Sequence, residues 1–338
     1  MTYWDDIQAV SALQLPWEKL SNCNILVAGA SGLIGSSLVE VLMERRNRDY
    51  CVYAMGRNKD RMEILFQKYL EDTTFHILLG DVSSPLTFTQ PFHYIIHAAS
   101  GASPSNFSLH PVEVMKANVY GVVNLLEYGR IHEMKRFLYI SSGEVYGEGD
   151  GRVFTEDYCG IVDSMSPRSC YPSSKRAAET LCVSYMSEYN TDVVIARPCH
   201  VYGPHFTESD NRVYAQFIRN ILNNEDVVMK SSGEQYRSWC YVVDCVSALL
   251  HILLKGECGH VYNIADRHSN VTIKQLAKLI AKIGHKKVVF KNPSDSEKKG
   301  YNVVSQSIYS IDKLIQLGFK ESTTLEDGLM NSINLLKS

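Results

Sequence analysis

Short apolar runs alternate along the chain with longer stretches in which apolar residues recur at every third or fourth position. The runs are Asn24–Ala28 (NILVA), Cys51–Met55 (CVYAM), Phe75–Leu79 (FHILL), Tyr94–His97 (YIIH), Phe137–Ile140 (FLYI) and Val193–Ala196 (VVIA). Unbroken apolar character marks strands buried on both faces, and an amphipathic helix between successive strands is the βαβ signature of a parallel sheet. The pattern therefore predicts an α/β chain with a doubly wound parallel sheet of the Rossmann type and a smaller, discontinuous C-terminal substrate lobe.

Boundaries follow from where the pattern breaks. Residues 1–22 form an extension, DDIQAVSALQLPWEKL broken at Pro16, expected to pack as a helix and turn against the sheet edge with Trp4 or Trp17 as anchor. Residues 23–200 make the sheet domain, to which 239–257 return as a helix. Residues 201–238 and 258–338 make the lobe: HFTESDNRV as a loop, a helix ending near Leu222, and two late helices near 272–283 and 324–336.

Chemistry enters at the ends of the runs. NILVA leads directly into GASGLIGSSLVEVLMERR, placing Gly29, Gly32 and Gly35 between a strand and a helix. Glycines there permit a tight turn and close backbone approach to a pyrophosphate, and the helix start offers unpaired amides and a positive dipole end. A dinucleotide cofactor is expected on this loop. Gly29, Asp81, His97–Ser100, Ser142 and Arg197 all fall at the carboxyl ends of strands, where ligands of such sheets bind.

In SCYPSSKRAAETL, Tyr171 stands four residues before Lys175, on one helix face. A phenol titrates near ~10, and lowering it by roughly two to three units takes about 3–4 kcal/mol from a nearby positive charge. Lys175 is expected to supply that charge, so that Tyr171 exchanges a hydroxyl proton during hydride transfer. Ser142, in SSGEVYG, would hydrogen-bond the same substrate oxygen.

Composition narrows the class. The chain has 338 residues, 45% of them hydrophobic, and a net charge of -3, which gives no basic footprint for nucleic acid. No apolar run is long enough for a membrane span and the start lacks signal-peptide character, so a cytoplasmic enzyme is expected. Nine cysteines without a C-x-x-C pair read as reduced thiols, and eleven histidines show no metal-ligand spacing, so no metal is expected.

With these motifs the chain resembles the extended short-chain dehydrogenase/reductase family, the NAD-dependent epimerases and dehydratases that modify nucleotide-linked sugars. GASGLIG, GDVSSP at 80–85, HAAS at 97–100, ANVYGVVNLLE at 117–127, ARPCHVYGP at 196–204, YRSWCYVVD at 236–244 and YNIAD at 262–266 carry the resemblance. PRSCYPSSKRAAETLC and the DNRV to RSWCYV stretch look most like UDP-glucuronate decarboxylases and dTDP-glucose 4,6-dehydratases. The resemblance implies transient oxidation at the sugar 4-position, with catalytic Tyr171, Lys175, Ser142 and Glu144, and a decarboxylase slightly favoured. It implies an NAD or NADP site made by Gly29, Ser31, Gly32, Leu33, Ile34, Gly35, Arg57, Asp81, Val82, His97, Ala98, Ala99, Ser100, Asn118, Tyr171, Lys175 and Arg197. The nucleotide sugar would meet Ser142, Gly143, Glu144, His200, Arg212 and Arg237, a guanidinium fork suiting phosphate or carboxylate alike.

Two positions depart from the family. Dehydratases carry Asp and decarboxylases Ser where this chain has Gly143. After the second strand the chain reads AMGRN, with Arg57 where NAD-binding relatives present Asp. Arg57 could bind a ribose 2′-phosphate, stack on adenine, or stand as a solvated charge. An NADPH-dependent reductase of a keto sugar is the alternative, and a non-catalytic nucleotide-binding module the remote one. The resemblance also implies a homodimer through helices Val112–Arg130 and Tyr171–Tyr189, with Val119 and Leu181 as contacts.

Overall fold

The computed structural model describes residues 1–208, 210–292 and 305–337. Its first half runs α1 (Tyr3–Ser11), β1 (Asn24–Ala28), α2 (Leu33–Glu44), β2 (Cys51–Gly56), α3 (Lys59–Leu65), β3 (Phe75–Leu79), β4 (Tyr94–His97), α4 (Pro104–Leu109), α5 (Pro111–Ile131), β5 (Arg136–Ile140), α6 (Cys170–Tyr189) and β6 (Val193–Pro198). There follow β7 (His200–Tyr202), α7 (Val213–Leu222), β8 (Val227–Met229), β9 (Tyr236–Tyr241), α8 (Val242–Lys255) and β10 (Val261–Ile264). The chain closes with β11 (Asn270–Thr272), α9 (Ile273–Ile283), β12 (Val288–Phe290), β13 (Gln306–Ser307), α10 (Asp312–Gln316) and α11 (Leu325–Lys337).

The six apolar runs are all strands of one parallel sheet in the order β10-β6-β5-β4-β1-β2-β3. Strand order reverses between β1 and β4, and the crevice beyond their carboxyl ends is where a doubly wound sheet holds its ligand. Gly29 follows β1 and His97–Ser100 closes β4, so both motifs lie at that crevice.

The seventh strand corrects the expected division. Val261–Ile264 falls within the expected lobe, yet it pairs with β6 from Val261↔Ile195 to Ile264↔Pro198 and forms the sheet edge. Every residue of α8 from Val242 to Leu254 is buried.

The lobe is built around β9. It pairs with β11 antiparallel, and with β13 and β7 parallel; β8 and β12 form a separate pair. The loop HFTESDNRV includes Ser209, which lies outside the described residues.

The extension packs on helices rather than on the sheet edge. Thr2 and Asp5 form a capping box at the start of α1, whose Tyr3, Ile7 and Val10 are buried against α2 and α8. Asp6 accepts a hydrogen bond from Asn331 of α11 at 2.7 Å. Trp17 is buried, its indole donating to the Leu13 carbonyl at 2.8 Å, while Trp4 is only partly covered.

Candidate active site

The glycine loop leaves no room for side chains. Gly29 has φ +86°, and a Cβ there would stand 2.5 Å from the Ala99 nitrogen; on Gly35 it would stand 2.2 Å from the Gly29 carbonyl oxygen. The first of these contacts brings the loop after β1 against the chain after β4. Gly32 is the N-cap of α2 and supplies no side-chain cap, so amides of the first turn remain available to an anion. Ser100 Oγ is buried and without a partner among the described residues. These features fit a dinucleotide pyrophosphate.

Around this loop the expected cofactor residues divide. Ser31, Leu33, Ile34, Ala98 and Ala99 belong to the two facing turns. The Ser31 carbonyl accepts from Arg61 Nε at 3.1 Å, and Arg61 Nη2 reaches the His205 carbonyl at 3.1 Å, a tie across the loop that the sequence reading missed. Arg57 lies 3.5 Å from Asp81, whose carboxylate also accepts from the Ser83 amide and hydroxyl. The Val82 carbonyl accepts from Asn124 at 2.8 Å. Asn118 is fully buried and donates to Ser174 Oγ at 2.8 Å, which fixes α5 to α6 one residue from Lys175.

Arg197 is elsewhere. Its guanidinium forms a two-pronged pair with Glu179 at 2.9 and 2.7 Å and donates to the Tyr146 hydroxyl and the Glu156 carbonyl. A strand-end arginine with every nitrogen engaged in the protein interior is a structural clamp, so its expected cofactor role is withdrawn.

Tyr171, Ser142, Glu144, His200, Arg212 and Arg237 line one cavity of about 640 Å³ together with Gly143. Ser142 caps the 3-10 turn Gly143–Tyr146 by accepting from the Glu144 amide at 3.2 Å, which holds its hydroxyl at the end of β5. The same hydroxyl draws the Tyr171 phenol's pKa down. Lys175, on the next turn of α6, donates to the Ile140 carbonyl at 2.7 Å and stands 4.7 Å over the Tyr139 ring and 5.8 Å from that of Tyr171.

The electrostatics differ from the expectation for Lys175. Burial pushes the Tyr171 phenol up to about 12, the Glu144 carboxylate adds to this, and Ser142, Arg212 and Arg168 draw it down. Burial pushes the Lys175 ammonium down to about 7. Desolvation disfavours both charged forms. In this enclosed site it is the largest influence on each. The imidazoles of His97 and His200 are pushed down to about 3, by burial first and then by Lys175 for His97 and by Arg237 and Arg212 for His200. Both are neutral at physiological pH.

Arg168 and Phe107 were not among the expected residues. Arg168 grips Glu144 through two bonds of 3.0 and 2.9 Å and lies 4.5 Å over the Phe107 ring, which stacks on Tyr171 at 4.7 Å. The sequence held a signal for Arg168, three residues before Tyr171 at the helix entrance. It held none for Phe107, which arrives from the short helix α4.

A sequence profile of the NAD dependent epimerase/dehydratase family matches residues 25–265, from the first strand to the end of the seventh. The chain belongs to this family. Among its curated relatives, UDP-glucuronic acid decarboxylase 6 of Arabidopsis thaliana is 35% identical over 266 residues, covering 78% of this chain and 75% of the relative. UDP-glucuronic acid decarboxylase 5 of the same plant is 31% identical over 91% of this chain and 88% of its own. Among solved structures, UDP-glucose 4-epimerase of Thermotoga maritima with UDP-glucose superposes with a TM-score of 0.77 at 26% identity, covering 92% of this chain and 97% of its own.

Proposed function

We propose that this chain is a nucleotide-sugar enzyme that oxidises the sugar at its 4-position with NAD, and that UDP-glucuronate is its substrate, decarboxylated to a UDP-pentose. The observation that carries this reading is one cavity in which Tyr171 and Ser142 meet Arg212 and Arg237. The Arg237 guanidinium suits a phosphate or a sugar carboxylate, Arg212 beside it is held by the Asp210 carboxylate through Nε and Nη2, and the phenol and hydroxyl suit the sugar alcohol being oxidised.

A nicotinamide dinucleotide held by the Gly29 loop would supply a reversible hydride acceptor. Tyr171 takes the proton from the 4-hydroxyl as phenolate, the form that Ser142, Arg212 and Arg168 favour, and Ser142 holds that oxygen. Glu144, kept in place by Arg168, faces the sugar for the second chemical step. NAD is preferred over NADP because the Asp81 carboxylate beside Arg57 would oppose a ribose 2′-phosphate. The dehydratase reading is weaker, since Gly143 offers no acid to a leaving hydroxyl.

We assign the enzyme to the cytosol, where its nine unpaired thiols persist and its product would feed polysaccharide synthesis. We also assign it a homodimer through α5 and α6. Val112, Met115 and Tyr120 of α5 and Val183 of α6 are exposed, whereas the expected contacts Val119 and Leu181 are half-buried.

Incubation with UDP, dTDP, GDP and CDP sugars, read by mass spectrometry, tests the reading. Loss of carbon dioxide from UDP-glucuronate is expected. Loss of water, an unchanged mass with a new isomer, or stoichiometric NADPH consumption with gain of two hydrogens each points to a different reaction.

A further inference from the structure

Gly143 has a steric cause that lies far from it in the chain. A Cβ at this position would stand 2.3 Å from the Tyr309 hydroxyl oxygen, 2.4 Å from its Cε1 and 2.5 Å from its Cζ. Carbon atoms in contact sit near ~3.5–4.0 Å, so no side chain at 143 coexists with this ring. The backbone makes no such demand, because Gly143 is not among the glycines with positive φ.

Nor is Tyr309 free to step aside. Its ring packs between Tyr146 and Phe154 at 5.8 and 5.5 Å, and its hydroxyl is 2.7 Å from Ser307 Oγ. The backbone on either side is pinned by Phe154, which donates to the Ile308 carbonyl at 2.7 Å and accepts from the Ser310 amide at 3.0 Å. Strand β13, just before it, pairs Ser307 with Arg237. Tyr309 also lines the cavity that holds Arg237, Glu144 and Tyr171.

We propose that Tyr309 is a specificity-determining residue of the sugar pocket, its phenol taking the space and the hydrogen-bonding place of a side chain at position 143. The inference rests on the nucleotide-sugar reading and refines it. The hydroxyl is delivered from the C-terminal lobe, beside the Arg237 guanidinium, so that phenol and guanidinium together suit a sugar carboxylate. Burial raises the phenol's pKa, so it stays protonated and donates a hydrogen bond. Such a weak acid supports a bound carboxylate or hydroxyl better than it expels one as water.

The test titrates UDP-glucuronate and UDP separately into the cofactor-loaded full chain, as wild type and Tyr309→Phe. Loss of the hydrogen bond should weaken UDP-glucuronate about tenfold in the variant while UDP stays within about twofold. A parallel change in both ligands, or none in either, overturns the proposal. A folding measurement stands beside it: Gly143→Ala should lower the melting temperature strongly in the wild type and little in Tyr309→Ala. Equal destabilisation in both backgrounds also overturns the proposal. Wild-type protein that binds UDP-glucuronate without converting it contradicts the proposed reaction and leaves the binding ratio to decide the role of Tyr309. If another UDP sugar of the panel is the one bound, the same ratio is measured with that sugar, and binding of none overturns both.

Discussion

The Tyr171 phenol stands between opposed influences: burial and the Glu144 carboxylate keep its proton on, while Ser142, Arg212 and Arg168 favour its release. Tyr171→Phe removes the proton acceptor and leaves the stacked ring on Phe107, so turnover should fall by about 10²–10⁴-fold with cofactor still bound. Product formation and the cofactor content of the purified variant check both halves. Arg168→Gln has a different signature. It leaves Glu144 uncompensated near the phenol, which raises the phenol pKa and should move the rising limb of the pH–rate profile to higher pH. An unshifted profile would assign Arg168 to packing alone.

At the scale of elements, Arg197 joins the end of β6 to α6 through Glu179, with both side chains largely buried. Breaking a buried pair costs about 3–5 kcal/mol because the surviving charge is left unpaired. Arg197→Met should lose stability of that order in denaturant melts while NAD affinity, measured by titration, is unchanged. The sequence placed Arg197 at a strand end and could not show which way its side chain turned. The six strands were legible because each is a short apolar run, including the edge strand β3, which is only partly buried. In β10 the polar Asn263 interrupts the apolar run, and the strand's place is set by pairing with β6. The Gly29 loop and the Tyr171 helix were legible because their geometry is local. Phe107, Arg61 and Tyr309 reach the site through tertiary packing, which no local spacing encodes.

Across the whole molecule, buried titratable groups set the response to acid. His97 and His200 have pKa values pushed down to about 3, and that of Asp244 is pushed up to about 6 by burial. Between about pH 4 and 6 the unfolded chain binds two protons on imidazoles that the fold rejects, and releases one that the fold retains on Asp244. The unfolded state thus holds about one proton more, and stability should rise with pH by up to about 1.4 kcal/mol per unit in this window. Denaturant melts at a series of pH values measure the slope; a flat or falling profile contradicts it. Association belongs to the same scale. If α5 and α6 form the contact between two copies, Tyr120→Glu with Val183→Glu should halve the sedimenting mass and leave the melting temperature of each subunit near its original value.

The clash between Gly143 and Tyr309 also constrains inheritance. A lineage cannot regain a side chain at the first position without first shrinking the second, and neither change alone preserves the packing. The two sites, one in the loop after β5 and the other beyond β13, should therefore change together: among descendants of a common ancestor, bulk at one is expected to exclude bulk at the other.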